Sequence, residues 1–397
     1  MKTAQEISLY IHVPFCRKKC DYCDFFSLGS NNCADLYTSR EDFLNSLRKE
    51  VQFYAHHYNV SKWKTVYVGG GTPSQLTVTQ LSALLDGIFT QAPAAPDAEV
   101  TVEVNPDDMS LELIQCLSLH GVNRISMGIQ SFDQKALDAV HRQASAQSAM
   151  HALDLLHKHW NGRLSCDLIA GLPNHSRESF EKGVEYLCSC GKVDHISLYT
   201  LTVEDGTPLA AKIDSGEVKW SQEKADRMWI RGRDILEASS FLQYEVSNFS
   251  RPNCQSRHNT VYWKLENYIG CGAGASGTMY APGERWTNTC SLVDYASFWK
   301  DADPLTVQIE SLPRSVEKLD KKTQEFEFLM MGFRLLEGVD AEAYRIRFGG
   351  DLGERLGAER GIFADWKKRG LASTDGRHYA LTRKGILLLN RFLEELL

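Results

Sequence analysis

No apolar stretch in this chain reaches the roughly 20 residues needed to cross a bilayer as a helix. The Met1–Tyr10 start has no charged region followed by an apolar stretch and a small-residue cleavage site, and it is not Arg-rich. Neither a signal peptide nor a transit peptide is read there. The expectation is a cytoplasmic protein, with loose association at a membrane surface left open. Positive charge is also short: 44 Lys and Arg face 51 Asp and Glu, a formal net charge of -7. Non-specific attraction to nucleic acid is therefore disfavoured, and no nucleic-acid partner is expected. There is no internal repeat at solenoid periods and no long low-complexity tract. Only Ala92–Pro96 (APAAP) reads as a linker-like loop. Eleven cysteines, an odd number in a chain without secretory features, argue against a disulfide framework.

What is present suits a globular protein. The 397 residues are 43% apolar and 24% charged, enough for a large barrel-like domain with one or two smaller ones. Three blocks are expected, at residues 1–204, 205–312 and 313–397. In the first, β-rich runs fall at Leu9–Val13, Thr65–Val68, Val100–Val104, Arg124–Met127, Leu164–Ile169 and His195–Tyr199. Helical patterns alternate with them, among them Arg40–Tyr58, Thr79–Phe89, Leu111–Leu119 and Ala146–His159. Such alternation predicts parallel strands joined by crossover helices. Six units make an α/β fold with a partial, open (β/α)6 barrel rather than a closed eightfold one. Several of these strands run into polar residues or glycine at the end where parallel α/β folds bind ligands. The second block is rich in aromatics. The third opens with an amphipathic helix around Lys321–Leu336 and ends in a short β pair and a helix. That order predicts an α+β extension with a small winged-helix-like cap. From Ser315 to Leu397 there are 15 Lys plus Arg against 14 Asp plus Glu, so the cap reads as a packing or interaction module, not a DNA reader.

Just after the first strand, Cys16, Cys20 and Cys23 lie in a C-x3-C-x2-C loop. Thiolates are the preferred ligands of iron–sulfur clusters, and three of them on a four-iron cluster leave one iron open. Arg17, Lys18 and Lys19 place positive charge beside that anionic centre. The competing reading is zinc, with His12 or Cys33 as a fourth ligand, but no second cysteine or histidine pair is evident.

The loop resembles the signature of the radical S-adenosylmethionine (SAM) superfamily. Gly69-Gly70-Gly71-Thr72 after the second strand, Glu103 in TVEVNP, Gln130 in GIQSF, Arg142 in HRQ and Asp167 in DLIAGLP extend the resemblance along the chain. It implies a [4Fe-4S] cluster on Cys16, Cys20 and Cys23. It further implies SAM held by Tyr10, Tyr22, Gly70, Gly71, Thr72, Glu103, Gln130, Arg142 and Asp167. Glycine backbone lets a ligand come close to amide groups, and a carboxylate at Glu103 accepts from both ribose hydroxyls.

Within the superfamily the chain is similar to the group around oxygen-independent coproporphyrinogen III oxidase. That oxidase carries a further cysteine two residues after the third, where this chain has Phe25. The C-x3-C-x2-C-x-F form resembles instead the HemW-type heme chaperones. A second motif agrees: His258-Asn259-Thr260-Val261-Tyr262-Trp263 matches their H-N-x-x-Y-W, linked to heme binding. An imidazole is a good axial ligand, and Tyr262 and Trp263 offer flat surface to a porphyrin. Cys254 is a rival iron ligand. The resemblance implies heme as cargo, haemoprotein recipients, a one-electron reductase such as a flavodoxin or ferredoxin, and a homodimer. The alternative is a radical enzyme. It would use a 5′-deoxyadenosyl radical on coproporphyrinogen III or another substrate. Phe25 argues against the oxidase, and whether the protein is an enzyme stays open at this stage.

Overall fold

The computed structural model describes residues 4–29 and 40–396; Cys33 lies outside them. Six parallel strands form the centre: β1 (Gln5–Val13), β2 (Val60–Gly70), β3 (Ala94–Val104), β4 (Arg124–Gln130), β5 (Arg163–Ala170) and β6 (His195–Thr200). They lie side by side in chain order. Helices α1 (Arg40–His57), α2 (Val78–Gln91), α3 (Leu111–Leu119), α4 (Gln134–Ala139), α5 (Ala146–His159) and α6 (Arg177–Ser189) make the crossovers. Ser and Thr side chains cap several of them: Thr77 and Gln80 form a capping box on α2, and Ser176 caps α6.

One face of the sheet is apolar. Leu9, Ile11, Val66, Val68, Val102, Ile125 and Met127 are fully buried there, largely against the helices. The alternate residues point to the other face. Register carries Tyr10 beside Tyr67, Glu103 beside Ser126, Gly128 beside Asp167, and Asp167 beside Ser197. The concave side of the sheet is thus polar at its C-terminal end, which is where a parallel sheet receives ligands.

The aromatic-rich segment continues the same sheet. Beyond β6 lie two short antiparallel strands, β7 (Leu242–Gln243) and β8 (Asn248–Ser250). At the opposite edge β9 (Tyr268–Cys271) pairs parallel with β1. It is followed by antiparallel β10 (Ser276–Met279), β11 (Glu284–Asn288) and β12 (Arg314–Lys318). Among the described residues the sheet therefore has 12 strands and stays open, as six (β/α) units predict. Helices α7 (Pro208–Asp214), α8 (Gln222–Ala238), α9 (Arg257–Trp263) and α10 (Leu292–Asp301) complete this part.

The C-terminal cap has its own core, including Phe328, Phe333, Trp366 and Phe392. It joins helix α11 (Lys321–Gly332) and further short helices to a three-stranded antiparallel sheet built from Val339–Asp340, Ala372–Thr374 and His378–Leu381, the winged-helix-like arrangement expected. Two boundaries differ from expectation. Helix α11 stops at Gly332, not Leu336, because Leu335 bridges to Glu245 and the Leu336 amide donates to the Tyr244 carbonyl. Ala92–Pro96 is not a linker: β3 begins at Ala94, and the Trp63 amide donates to the Pro93 carbonyl at 2.9 Å. Among the described residues no helix is long and apolar enough to cross a membrane.

Candidate functional site

A cavity of about 440 Å³ opens at the C-terminal ends of the parallel strands. Its rim is the cysteine loop: Cys16, Cys20 and Cys23 all line it, with Tyr22 beside them. The loop is held closed by local bonds, the Cys23 amide donating to the Cys20 carbonyl at 3.1 Å. Asp21 anchors the loop from outside. Its carboxylate bonds Lys212 of α7 and His141, each at 2.8 Å, while its backbone bonds Val140 and Leu209. Burial opposes the Asp21 charge, but Lys212 and His141 hold its pKa below the usual carboxylate value.

The cavity floor comes from strand ends. Glu103 accepts from the Tyr67 hydroxyl at 2.6 Å and from the Gly70 amide at 3.1 Å. Burial, and after it the neighbouring Asp167, pushes the Glu103 carboxyl up to about 7. Asp167 Oδ1 is buried without a partner, as is Nε of Arg142. Arg142 spans the cavity wall. It donates to Asn105 Oδ1 at 2.9 Å, the Gly128 carbonyl at 2.5 Å, the Tyr22 hydroxyl at 3.4 Å and the Cys20 sulfur at 3.7 Å. Gly128 permits this close approach, since a Cβ there would meet Gln130 Nε2 at 3.0 Å and Arg142 Nη2 at 3.1 Å. Gln130 turns into the cavity on a left-handed backbone, φ 67°, a conformation that costs energy outside glycine.

Eight of the nine residues expected at a SAM site therefore line one cavity with the three cysteines: Tyr22, Gly70, Gly71, Thr72, Glu103, Gln130, Arg142 and Asp167. Tyr10 does not; it lines a second cavity next to the first. The glycine run also works differently from expectation. The amides of Gly70, Gly71 and Thr72 are engaged by Glu103, Val13 and Phe15, so those donors are not offered to a ligand. Sequence reasoning missed Asn105, Ser126 and Tyr199 on the lining, and Asp21 behind the loop. Their strand-end or loop positions were the available signal.

Of the two fourth ligands named for the zinc reading, Cys33 lies outside the described residues. His12 is committed elsewhere, Nδ1 to the Tyr10 hydroxyl and Nε2 to the Phe26 carbonyl.

Helix α9 carries the second motif, and its parts separate in space. Glu99 on β3 accepts from the backbone amides of Arg257 and His258 and so fixes the helix start. His258 is 1% exposed. Its Nδ1 bonds Thr65 Oγ1 and its Nε2 bonds the Tyr262 hydroxyl, both at 2.7 Å, and burial drives its pKa down to about 3. Both ring nitrogens of His258 are thus engaged within the protein. The Asn259 amide is capped by Ser256. Trp263 turns toward the cap, where Arg334 lies 4.6 Å over its ring.

Comparison with known proteins decides the family. The Radical SAM superfamily profile matches residues 10–187, and the HemN C-terminal domain profile matches residues 319–388. A Lactococcus lactis protein named heme chaperone HemW is 34% identical over 98% of this chain and 97% of its own length. The chain belongs to the HemW family of radical SAM proteins. Another HemW family member, from Escherichia coli K12, is 32% identical over 98% of this chain and 97% of its own. A zebrafish mitochondrial relative, radical S-adenosyl methionine domain-containing protein 1, is 33% identical over 86% of this chain and 76% of its own. The solved structure of coproporphyrinogen III oxidase (HemN) from Escherichia coli superposes with a TM-score of 0.80. It covers 99% of this chain and 90% of that one at 20% identity, a likeness of fold. Membership of the superfamily carries a [4Fe-4S] cluster and SAM as the cofactors of this HemW-type chain.

Proposed function

We propose that this protein is a heme chaperone: it binds heme and delivers it to haemoproteins. A [4Fe-4S] cluster on Cys16, Cys20 and Cys23 serves the same molecule, with SAM in the adjoining cavity. The observation that supports this most is likeness along nearly the whole chain, at 34% identity, to a protein named heme chaperone. The cavity fits the cofactors. Three thiols face it, and Asp167 Oδ1 and Arg142 Nε are buried without partners, as expected of groups that await a polar ligand. When bound, the cluster supplies an open iron and one-electron chemistry. The chain's own residues do the rest. Glu103 accepts hydroxyl donors, Arg142 holds a carboxylate while touching the Cys20 sulfur, and the strand ends exclude water.

Oxidative decarboxylation of a porphyrinogen is not favoured. The full-length relatives are named as chaperones, and likeness to the oxidase structure is one of fold at 20% identity. The reading further includes a flavodoxin- or ferredoxin-type reductase, haemoprotein recipients, a homodimer, and a cytoplasmic location with access to a membrane surface. It divides the chain at residues 204/205 and 312/313.

The test is anaerobic heme titration of the reconstituted protein, followed by absorption, then transfer to an apo-haemoprotein. Saturable binding and transfer are expected. A protein that loads its cluster and SAM but takes up no heme is not a chaperone.

A further inference from the structure

The glycine run at the end of β2 is pressed against the start of the cysteine loop. The Gly71 amide donates to the Val13 carbonyl and the Thr72 amide to the Phe15 carbonyl, both at 2.8 Å. A Cβ on Gly71 would meet the Pro14 carbonyl carbon and the Phe15 oxygen at 2.9 Å, so only a bare residue lets the two segments lie this close. The next side chain is thereby set beside a cysteine: Thr72 Oγ1 lies 3.5 Å from the Cys16 sulfur. Thr72 is 5% exposed. Its hydroxyl also accepts from Asn105 Nδ2 at 3.3 Å, and Asn105 Oδ1 accepts from Arg142 at 2.9 Å. Arg142 in turn reaches the Cys20 sulfur at 3.7 Å.

We propose that Thr72 donates a hydrogen bond to the iron-bound Cys16 thiolate, that Asn105 is the positioning residue that fixes its direction, and that Thr72 raises the reduction potential of the cluster. The proposal rests on the cluster assignment made above. Each bond of the relay has a forced polarity. A guanidinium only donates, so Arg142 faces the Asn105 oxygen and leaves the Asn105 amide nitrogen toward Thr72. The Thr72 hydroxyl accepts from that nitrogen, and its one proton points to its remaining partner, Cys16. A cysteine that holds iron is deprotonated and only accepts, so the contact becomes a donation from Thr72. Two of the three ligand sulfurs thus receive donors from side chains outside the loop. Reduction adds one electron from an external reductase, and the added negative charge spreads onto the ligand sulfurs. Donors aimed at those sulfurs favour the reduced state. The shielded position of Thr72 strengthens the effect. The glycine run, whose amides are spent inside the protein, gains a role here: it sets the distance from Thr72 to Cys16.

Full-length wild type, Thr72→Val, Thr72→Ser and Asn105→Asp, each reconstituted anaerobically and kept free of SAM, test this. Potentiometric titration followed by electron paramagnetic resonance gives the midpoint of the cluster, and resonance Raman gives its iron–thiolate stretching frequencies. Thr72→Val should shift the midpoint to more negative potential and raise one iron–thiolate frequency, because a sulfur has lost its donor. Thr72→Ser keeps the hydroxyl and should keep both readings. Asn105→Asp leaves the hydroxyl in place but offers it a carboxylate. The Thr72 proton should turn away from Cys16, and the frequency should rise as in Thr72→Val. A wild-type midpoint and wild-type frequencies in Thr72→Val overturn the proposal, as does Thr72→Ser behaving like Thr72→Val. Wild-type frequencies in Asn105→Asp overturn the positioning role. Should Thr72→Val fail to hold a cluster, Asn105→Asp decides by the same frequencies. If the wild type itself assembles no cluster, the cluster reading falls and this proposal with it; a loaded cluster that no variant shifts overturns the proposal alone.

Discussion

Arg142 reaches Cys20 across the cavity wall, its guanidinium donating to the sulfur at 3.7 Å although the two residues lie 122 apart in the chain. The same guanidinium holds the Tyr22 hydroxyl and Asn105. One side chain thus ties the cysteine loop to the strand ends. Arg142→Gln should keep iron and sulfide near wild-type content after anaerobic reconstitution. It should bind SAM roughly 10–100-fold more weakly, since a charge-assisted bond to a carboxylate is lost. Equilibrium dialysis with labelled SAM measures this, and equal affinity in the two proteins removes Arg142 from the site.

Lys212 clasps Asp21 from α7 at 2.8 Å, and this ion pair is largely shielded from water. Lys212→Ala leaves a mostly buried carboxylate with only His141 beside it. The cysteine loop should loosen, and iron release to a chelator should accelerate several-fold relative to wild type, consistent with a loss of about 1 kcal/mol. Release rates that match the wild type show that the clasp does not hold the loop.

Much of this architecture is legible in the sequence, for identifiable reasons. The six central strands are buried on the helix-facing side and alternate with long amphipathic helices, so their period and order show in the residues. The cysteine loop is compact in sequence, and every ligand expected on it falls on one cavity rim. The motif at His258 was less legible. Spacing puts His258 and Tyr262 on one helix face, as found, but cannot tell which of them faces a cavity. That depends on Thr65 of β2 and Glu99 of β3, nearly 200 and 160 residues away. Likewise APAAP looks like a linker because its proline and small residues are judged locally, whereas its pairing partner is Trp63.

Glu50 on α1 is a buried carboxyl that accepts from the Tyr295 hydroxyl at 2.6 Å and from the Gly272 amide and Asn288 Nδ2 at 2.7 Å. Burial raises its pKa from 4.5 to about 7. The folded chain therefore holds this proton more tightly than the unfolded chain. The stability it contributes is complete below the unfolded value and is lost as pH rises through the folded one. Wild type compared with Glu50→Gln by chemical denaturation should lose on the order of 3 kcal/mol between these limits. Parallel pH profiles in the two proteins contradict this.

Glu99 holds the first turn of α9 through the amides of Arg257 and His258 at 3.1 and 2.9 Å. Glu99→Ala leaves those donors buried without an acceptor and should cost about 2–3 kcal/mol of stability. It should also disorder the His258–Tyr262 pair, seen as faster hydrogen exchange confined to residues 256–263. A stability loss with no local change in exchange places the role of Glu99 elsewhere.

The single phenyl ring of Phe25 is a partition between two rooms. Its position enters the shape of both cavities. Were a guest on one side to displace that ring, the affinities of the two sides would be linked, and linked reciprocally, because a coupling free energy has one value whichever ligand arrives first. The loop that carries the cysteines thus also supplies the wall that the cofactor cavity shares with its aromatic neighbour.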